Sequence, residues 1–109
     1  MSKQVPVDLA ETVRIAELFR LIGDPTRVGI LYALKEGKEL CVRDISLLVG
    51  MSETAVSHAL RILRTARIVR RRRASRMAFY SLDDAHVSNL LDLCREHLEH
   101  SMAEAPSGA

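Results

Sequence analysis

VRDISLLVGMSETAVSHALRILRTA, residues 42 to 66, contains two helical patterns joined by a tight turn, and its reading decides the fold. Val42 to Val49 is a short helical run, closed by Gly50, Met51 and Ser52. Ser52 stands as N-cap of a longer helix from Glu53 to Ala66, in which Ala55, Val56, Leu60 and Leu63 form the apolar stripe. Short helix, glycine-bearing turn and longer helix make the helix-turn-helix pattern. In that geometry the exposed N-terminal and central residues of the second helix reach base edges in the major groove, and here they are Glu53, Thr54, Ser57, His58 and Arg61. Arg64 then lies nearer the phosphate backbone.

Upstream, Asp24 caps a helix whose first residue is Pro25, a strong start signal, and which runs to Glu36 with Gly37 as its stop. Before it, Asp8 to Leu21 reads as a first helix with Leu9, Val13, Ala16 and Leu18 or Phe19 on its apolar side, ended by Gly23. Downstream, Ile68 to Arg73 and Met77 to Leu82 alternate as two strands of a hairpin joined near Ala74 and Ser75. A last helix spans about Ala85 to His100, with Leu90, Leu91 and Leu98 left to pack against the body or a partner. The expected fold is mainly α with a β-hairpin wing, a winged helix-turn-helix in one domain over residues 1–109, with 1–7 and 102–109 flexible.

Composition narrows the function. A chain of 109 residues, 48% apolar but only 4% aromatic and without Trp, builds its core from Leu, Ile, Val and Ala. The net charge of +2 hides a polarity: Thr54 to Leu82 holds eight arginines and no acid, although acids make up 14 of the 109 residues. A solvated surface mixes signs, so this block points to double-stranded DNA. Strand alternation aims only part of the wing's arginines one way, and Arg71, Arg73 and Arg76 are the expected phosphate or minor-groove contacts. No apolar run reaches the roughly 18 residues of a membrane span and the N-terminus has no signal pattern, so a cytoplasmic location without membrane contact is expected. Cys41 and Cys94 are too few for a disulfide scaffold and read as small buried hydrophobes, Cys94 at an interface.

Three of the four histidines lie in the last helix. His86 and His97 are eleven residues apart, roughly 16 Å along the axis, too far to share an ion, yet eleven steps of about 100° return them to one face, where His100 joins them. With Asp84, this stripe carries two half-sites. If two copies cross antiparallel about a two-fold axis, Asp84 and His86 of one meet the other's histidines, so the spacing predicts a homodimer. Three imidazoles and a carboxylate complete a tetrahedral shell for Zn(II), and leave no open position for a substrate. Co(II) and Ni(II) also accept imidazole. A zinc hydrolase would need an open position, a base and a pocket, so neither an enzyme nor a small-molecule substrate is expected. Asp84 also suits the N-cap or first turn of the helix.

Leu21-Ile22-Gly23-Asp24-Pro25-Thr26-Arg27, Val56-Ser57-His58, Tyr80-Ser81-Leu82 and Asp84-x-His86-x10-His97-x-x-His100 together resemble the ArsR/SmtB family of dimeric winged-helix metal-sensing repressors, over nearly the whole chain. The resemblance implies a zinc or cobalt site between the two last helices, with Asp84 and His86 facing His97 and His100 of the partner subunit. It also implies that metal lowers operator affinity and so derepresses metal efflux or sequestration genes.

Three positions depart from the family pattern. Glu39-Leu40-Cys41-Val42-Arg43-Asp44 carries Arg43 where a soft-metal thiolate motif has its second Cys, and no N-terminal Cys completes one, so a cadmium, lead or arsenic sensor is not expected. The wing turn Arg73-Ala74-Ser75-Arg76 lacks the usual glycine, and Ala59 replaces a longer polar residue of the recognition helix. Two other readings stay open: a thiol-based redox repressor using Cys41 and Cys94, and a constitutive DNA-binding protein with a structural zinc.

Overall fold

The computed structural model describes residues 4–104. In chain order these form α1 (Leu9–Ile22), α2 (Pro25–Gly37), α3 (Val42–Val49), α4 (Glu53–Thr65), β1 (Val69–Ala74), β2 (Met77–Leu82) and α5 (Ala85–Glu104). Helix starts follow the caps. Asp8 accepts from the Glu11 amide, Asp24 from the Arg27 amide at 3.0 Å ahead of Pro25, and Ser52 from the Ala55 amide at 3.1 Å. Each side chain thereby satisfies one of the donors that a helix start leaves without a partner.

The turn between α3 and α4 rests on Gly50, left-handed at φ 70°, whose N–H closes on the Ser46 carbonyl at 2.9 Å. A Cβ added there would meet nothing within 4 Å, so only backbone conformation opposes it. Gly50→Ala is therefore expected to cost about 1–2 kcal/mol, the left-handed penalty of an L residue, read as a lower urea midpoint without a change in slope. Gly37 works differently. It is the last helical residue and not the stop beyond it; Lys38 takes the positive φ of 70°, and a Cβ on Gly37 would fall 2.7 Å from the Leu40 side chain. The hairpin has a two-residue loop, and the glycine it lacks is replaced by Ser75 at φ 60°, positive at the first central position as in a type II′ turn.

The strands pair antiparallel from Val69↔Leu82 to Ala74↔Met77, and Leu40 adds an isolated bridge to Tyr80. Ile30, Leu31 and Leu34 of α2, Ile45 of α3, Val56, Leu60 and Leu63 of α4, Val69, Tyr80 and Leu91 form one buried cluster. Cys41 is buried beside it. The core therefore lies among α2, α3, α4, the hairpin and the near half of α5.

Two helices project from it. On α1 only Ile22 is buried, while Leu9, Val13 and Phe19 are 74%, 55% and 57% exposed. On α5 Leu91 is buried and Val87 and Leu90 are half-buried, but Leu93, Leu98 and Met102 stand in solvent. The result is elongated: a radius of gyration of 17.1 Å against about 13 Å for a compact domain near this length. Met102 does not begin a loose tail, because α5 continues to Glu104; Ser, Met, Ala and Glu offer no helix breaker ahead of Pro106. The rest of that expected tail, and residues 1–3 of the expected N-terminal one, lie outside the described residues, whereas 4–7 precede α1 without regular structure.

Candidate nucleic-acid interface and metal centre

Burying Val56, Ala59, Leu60 and Leu63 turns the opposite side of α4 outward. Glu53, Thr54, Ser57, His58 and Arg61 line one shallow hollow of about 400 Å³ on that side. A second hollow, about 250 Å³, continues it from Ser57, Arg61 and Arg64 to Arg71 and Tyr80 on the wing. Helix and hairpin thus present one continuous surface. Tyr80 is the member that motif reading missed: it was noted only as closing the wing, and its buried ring also lies where the two elements meet. Ala59 is 6% exposed and so packs inward, which leaves no room there for a longer polar side chain.

Strand alternation divides the arginines. Arg71 and Arg73 pair across the ladder with Tyr80 and Ala78, while Arg70 and Arg72 pair with Ser81 and Phe79 on the other face. Arg72 donates two hydrogen bonds to the Glu39 carboxylate, at 2.9 and 2.7 Å, and lies 5.3 Å from the centre of the Phe79 ring. Glu39 is held below the usual carboxylate range, chiefly by the Arg72 hydrogen bond, against a smaller opposing effect of burial and with help from the charges of Arg72 and Arg70. Arg70 donates to the Ser81 hydroxyl at 3.3 Å. Arg71, Arg73 and Arg76 are exposed; Arg71 reaches the hollow beside α4, and Arg73 and Arg76 stand at the hairpin end.

The expected metal donors fall into two pairs, Asp84 and His86 at the start of α5 and His97 and His100 further along it. Asp84 accepts from the His86 amide at 2.8 Å, a cap interaction, and its other oxygen lies 3.1 Å from His86 Nδ1. The carboxylate therefore caps the helix and touches the imidazole at once. His97 and His100 line a shallow hollow with Leu93 and Glu96 further along the helix. Among the described residues no three His, Cys, Asp or Glu side chains of one chain converge. Within one chain the two pairs remain apart, in keeping with the roughly 16 Å that the spacing demands.

Neither cysteine joins them. Cys41 is buried and its thiol lies 3.2 Å from an Asp44 carboxylate oxygen; Cys94, expected at a buried interface, is exposed on this single chain. Arg43, in place of a second thiolate, is also exposed. No helix is long and apolar enough to cross a membrane among the described residues.

Residues 24–71 match the profile of the family described as bacterial regulatory protein, arsR family. Over 95 residues the chain is 43% identical to a transcriptional repressor SmtB homolog of Synechocystis, covering 87% of this chain and 71% of that one. It is 37% identical over 92 residues to a cadmium resistance transcriptional regulatory protein CadC homolog of Staphylococcus aureus, covering 84% and 71%. Its backbone is similar to the crystal structure of the AntR antimony-specific transcriptional repressor, with a TM-score of 0.83 at 30% identity, over 95% of this chain and 94% of that one. Winged helix-turn-helix architecture, the matched profile and these relatives agree: the chain belongs to the ArsR/SmtB family of bacterial regulatory proteins.

Proposed function

We propose that this chain is a cytoplasmic, homodimeric transcriptional repressor that binds operator DNA when metal-free and releases it when Zn(II), or Co(II) or Ni(II), occupies a site between the two last helices. The observation that carries this reading is the arrangement of donors on α5: Asp84 already in contact with His86 at one end, and His97 with His100 around one hollow at the other. Antiparallel crossing of two such helices brings each pair against its complement, Asp84 and His86 against the partner subunit's His97 and the partner subunit's His100. The exposed Leu9, Val13 and Phe19 of α1 and Leu93 and Leu98 of α5 supply apolar surface that a second copy would cover.

Three neutral imidazoles and a carboxylate suit a divalent, borderline-soft ion, which would supply a closed, non-catalytic tether between subunits. Asp84 lies 3.1 Å from Nδ1 of His86, which leaves Nε2 on the far side of the ring as the outward ligand atom. Glu53, Thr54, Ser57, His58 and Arg61 of α4 read bases, and Arg64, Arg71, Arg73 and Arg76 hold the backbone. Metal and DNA then oppose each other reciprocally: each weakens the other's binding by one common factor.

Titration of metal-free protein with Co(II) tests the site. An intense tetrahedral visible band, without thiolate charge transfer, should saturate near one ion per protomer and vanish in His97→Ala. Strong sulfur charge transfer would instead place Cys41 or Cys94 in the shell and sink the assignment. A folded, dimeric apo-protein is also required, since a merely structural zinc would leave the metal-free chain unfolded or monomeric.

A further inference from the structure

Apart from both sites, the end of α2, the outer face of the hairpin and the first turns of α5 enclose a cleft of about 250 Å³. Lys35, Lys38 and Arg70 line it with the hydroxyl-bearing Ser81 and Ser88, over Leu34, and no acidic residue is among its lining. The nearby carboxylates already have cationic partners: Asp92 lies 3.0 Å from Lys35 at the edge of the cleft, with Glu36 at 3.7 Å, and Glu39 is held in two places by Arg72 while sensing the charge of Arg70. Lys35 is thus largely compensated. Lys38 has no side-chain partner among the described residues, and Arg70 uses only its Nε, on Ser81, so its terminal nitrogens remain available.

The backbone adds a second observation. Lys38 sits at φ 70° and ψ −62°, with the Glu39 amide bonded to the Gly37 carbonyl at 2.8 Å, which is the γ-turn of the strained hand. A lysine held there, directly after a glycine that could have taken the positive φ, is an outlier of the kind that collects at ligand clamps.

We propose that this cleft binds a phosphoryl group, Lys38 and the terminal nitrogens of Arg70 supplying charge-assisted hydrogen bonds and Ser81 and Ser88 supplying neutral ones. Ser88 is two residues from His86, so the bound anion joins the wing to the start of α5. Free phosphate and a phosphate of the DNA backbone share this chemistry.

The test is a titration of the metal-free full chain with inorganic phosphate, at ionic strength held constant with chloride, followed through backbone amide shifts. Saturable shifts are expected at Lys38, Arg70, Ser81 and Ser88, and Lys38→Gly and Arg70→Gln should each raise the apparent Kd at least tenfold. Lys38→Gly suits the positive φ and should leave the fold intact; Ser88→Ala, with a several-fold loss, provides a second, conservative check. Shifts that do not saturate, that centre on Arg61, Arg64 and Arg71, or that are indifferent to both cation variants would overturn the proposal. A non-specific duplex separates the sources. If the phosphate is DNA's, Lys38→Gly weakens duplex binding and phosphate competes with it; if it is free phosphate, duplex affinity is unchanged and the cleft still titrates on DNA-bound protein.

Discussion

Leu60→Ala should destabilise the protein by about 2–5 kcal/mol, the range for truncating a buried leucine, which is a third or more of the stability of a marginal domain. Leu60 is fully buried, and it is where α4 meets the rest of the cluster. The lost methyl groups forfeit their transfer free energy, and the surrounding aliphatic side chains relax only partly into the void. Urea unfolding followed by circular dichroism reads the effect as a lower midpoint at unchanged slope. Ser57→Ala, on the exposed side of the same helix, should stay within about 0.5 kcal/mol. Equal losses in the two variants would mean that α4 is not anchored through Leu60. Because Leu60 touches no DNA in this arrangement, its variant should lose operator binding only in proportion to the unfolded fraction.

Arg61→Ala should weaken binding to the cognate operator by about 1–3 kcal/mol, roughly 5- to 150-fold, and relax discrimination at the base it faces. Arg71→Gln should act differently, weakening all duplexes alike and lowering the log-log salt slope by about 0.9, the signature of one phosphate contact. Its neighbour is the control. Arg72 is tied to Glu39 by two hydrogen bonds on the opposite face of the hairpin, so Arg72→Gln should leave the slope where it was. Fluorescence anisotropy over a salt series makes the comparison. An Arg72 variant as damaging as the Arg71 variant would show that the wing does not present its Arg71 face to DNA.

Much of the architecture was legible because it rests on local chemistry. Asp24-Pro25, the Gly50 turn and Ser52 act within a few residues, and each stands where its spacing placed it. Helical periodicity reveals an apolar face but not what covers it. Leu9, Val13 and Phe19 are apolar positions of α1, yet among the described residues they remain mostly exposed. Local rules also put the stop of α2 at Gly37, whereas Gly37 is still helical and Lys38 takes the positive φ, as Ser75 does in the wing turn. The Arg72–Glu39 pair spans 33 residues, beyond any local pattern. For the proposed metal donors, helix geometry was sufficient to separate two pairs, and the structure adds what spacing cannot supply: an Asp84 carboxylate that caps the helix and lies beside the His86 imidazole.

Among the described residues of α5, Leu91 is the one that is fully in the core, with Val87 and Leu90 half-buried just before it, so the helix is a lever with its fulcrum there. Its short arm begins just after Asp84 and carries His86, and its long arm, thirteen residues to Glu104, extends about 20 Å. A tilt of roughly 10° at the fulcrum would carry the far tip about 3.5 Å while displacing the core side chains by a few tenths of an ångström. Small rotations at a well-packed joint thus become large changes in the separation of whatever the long arms grip.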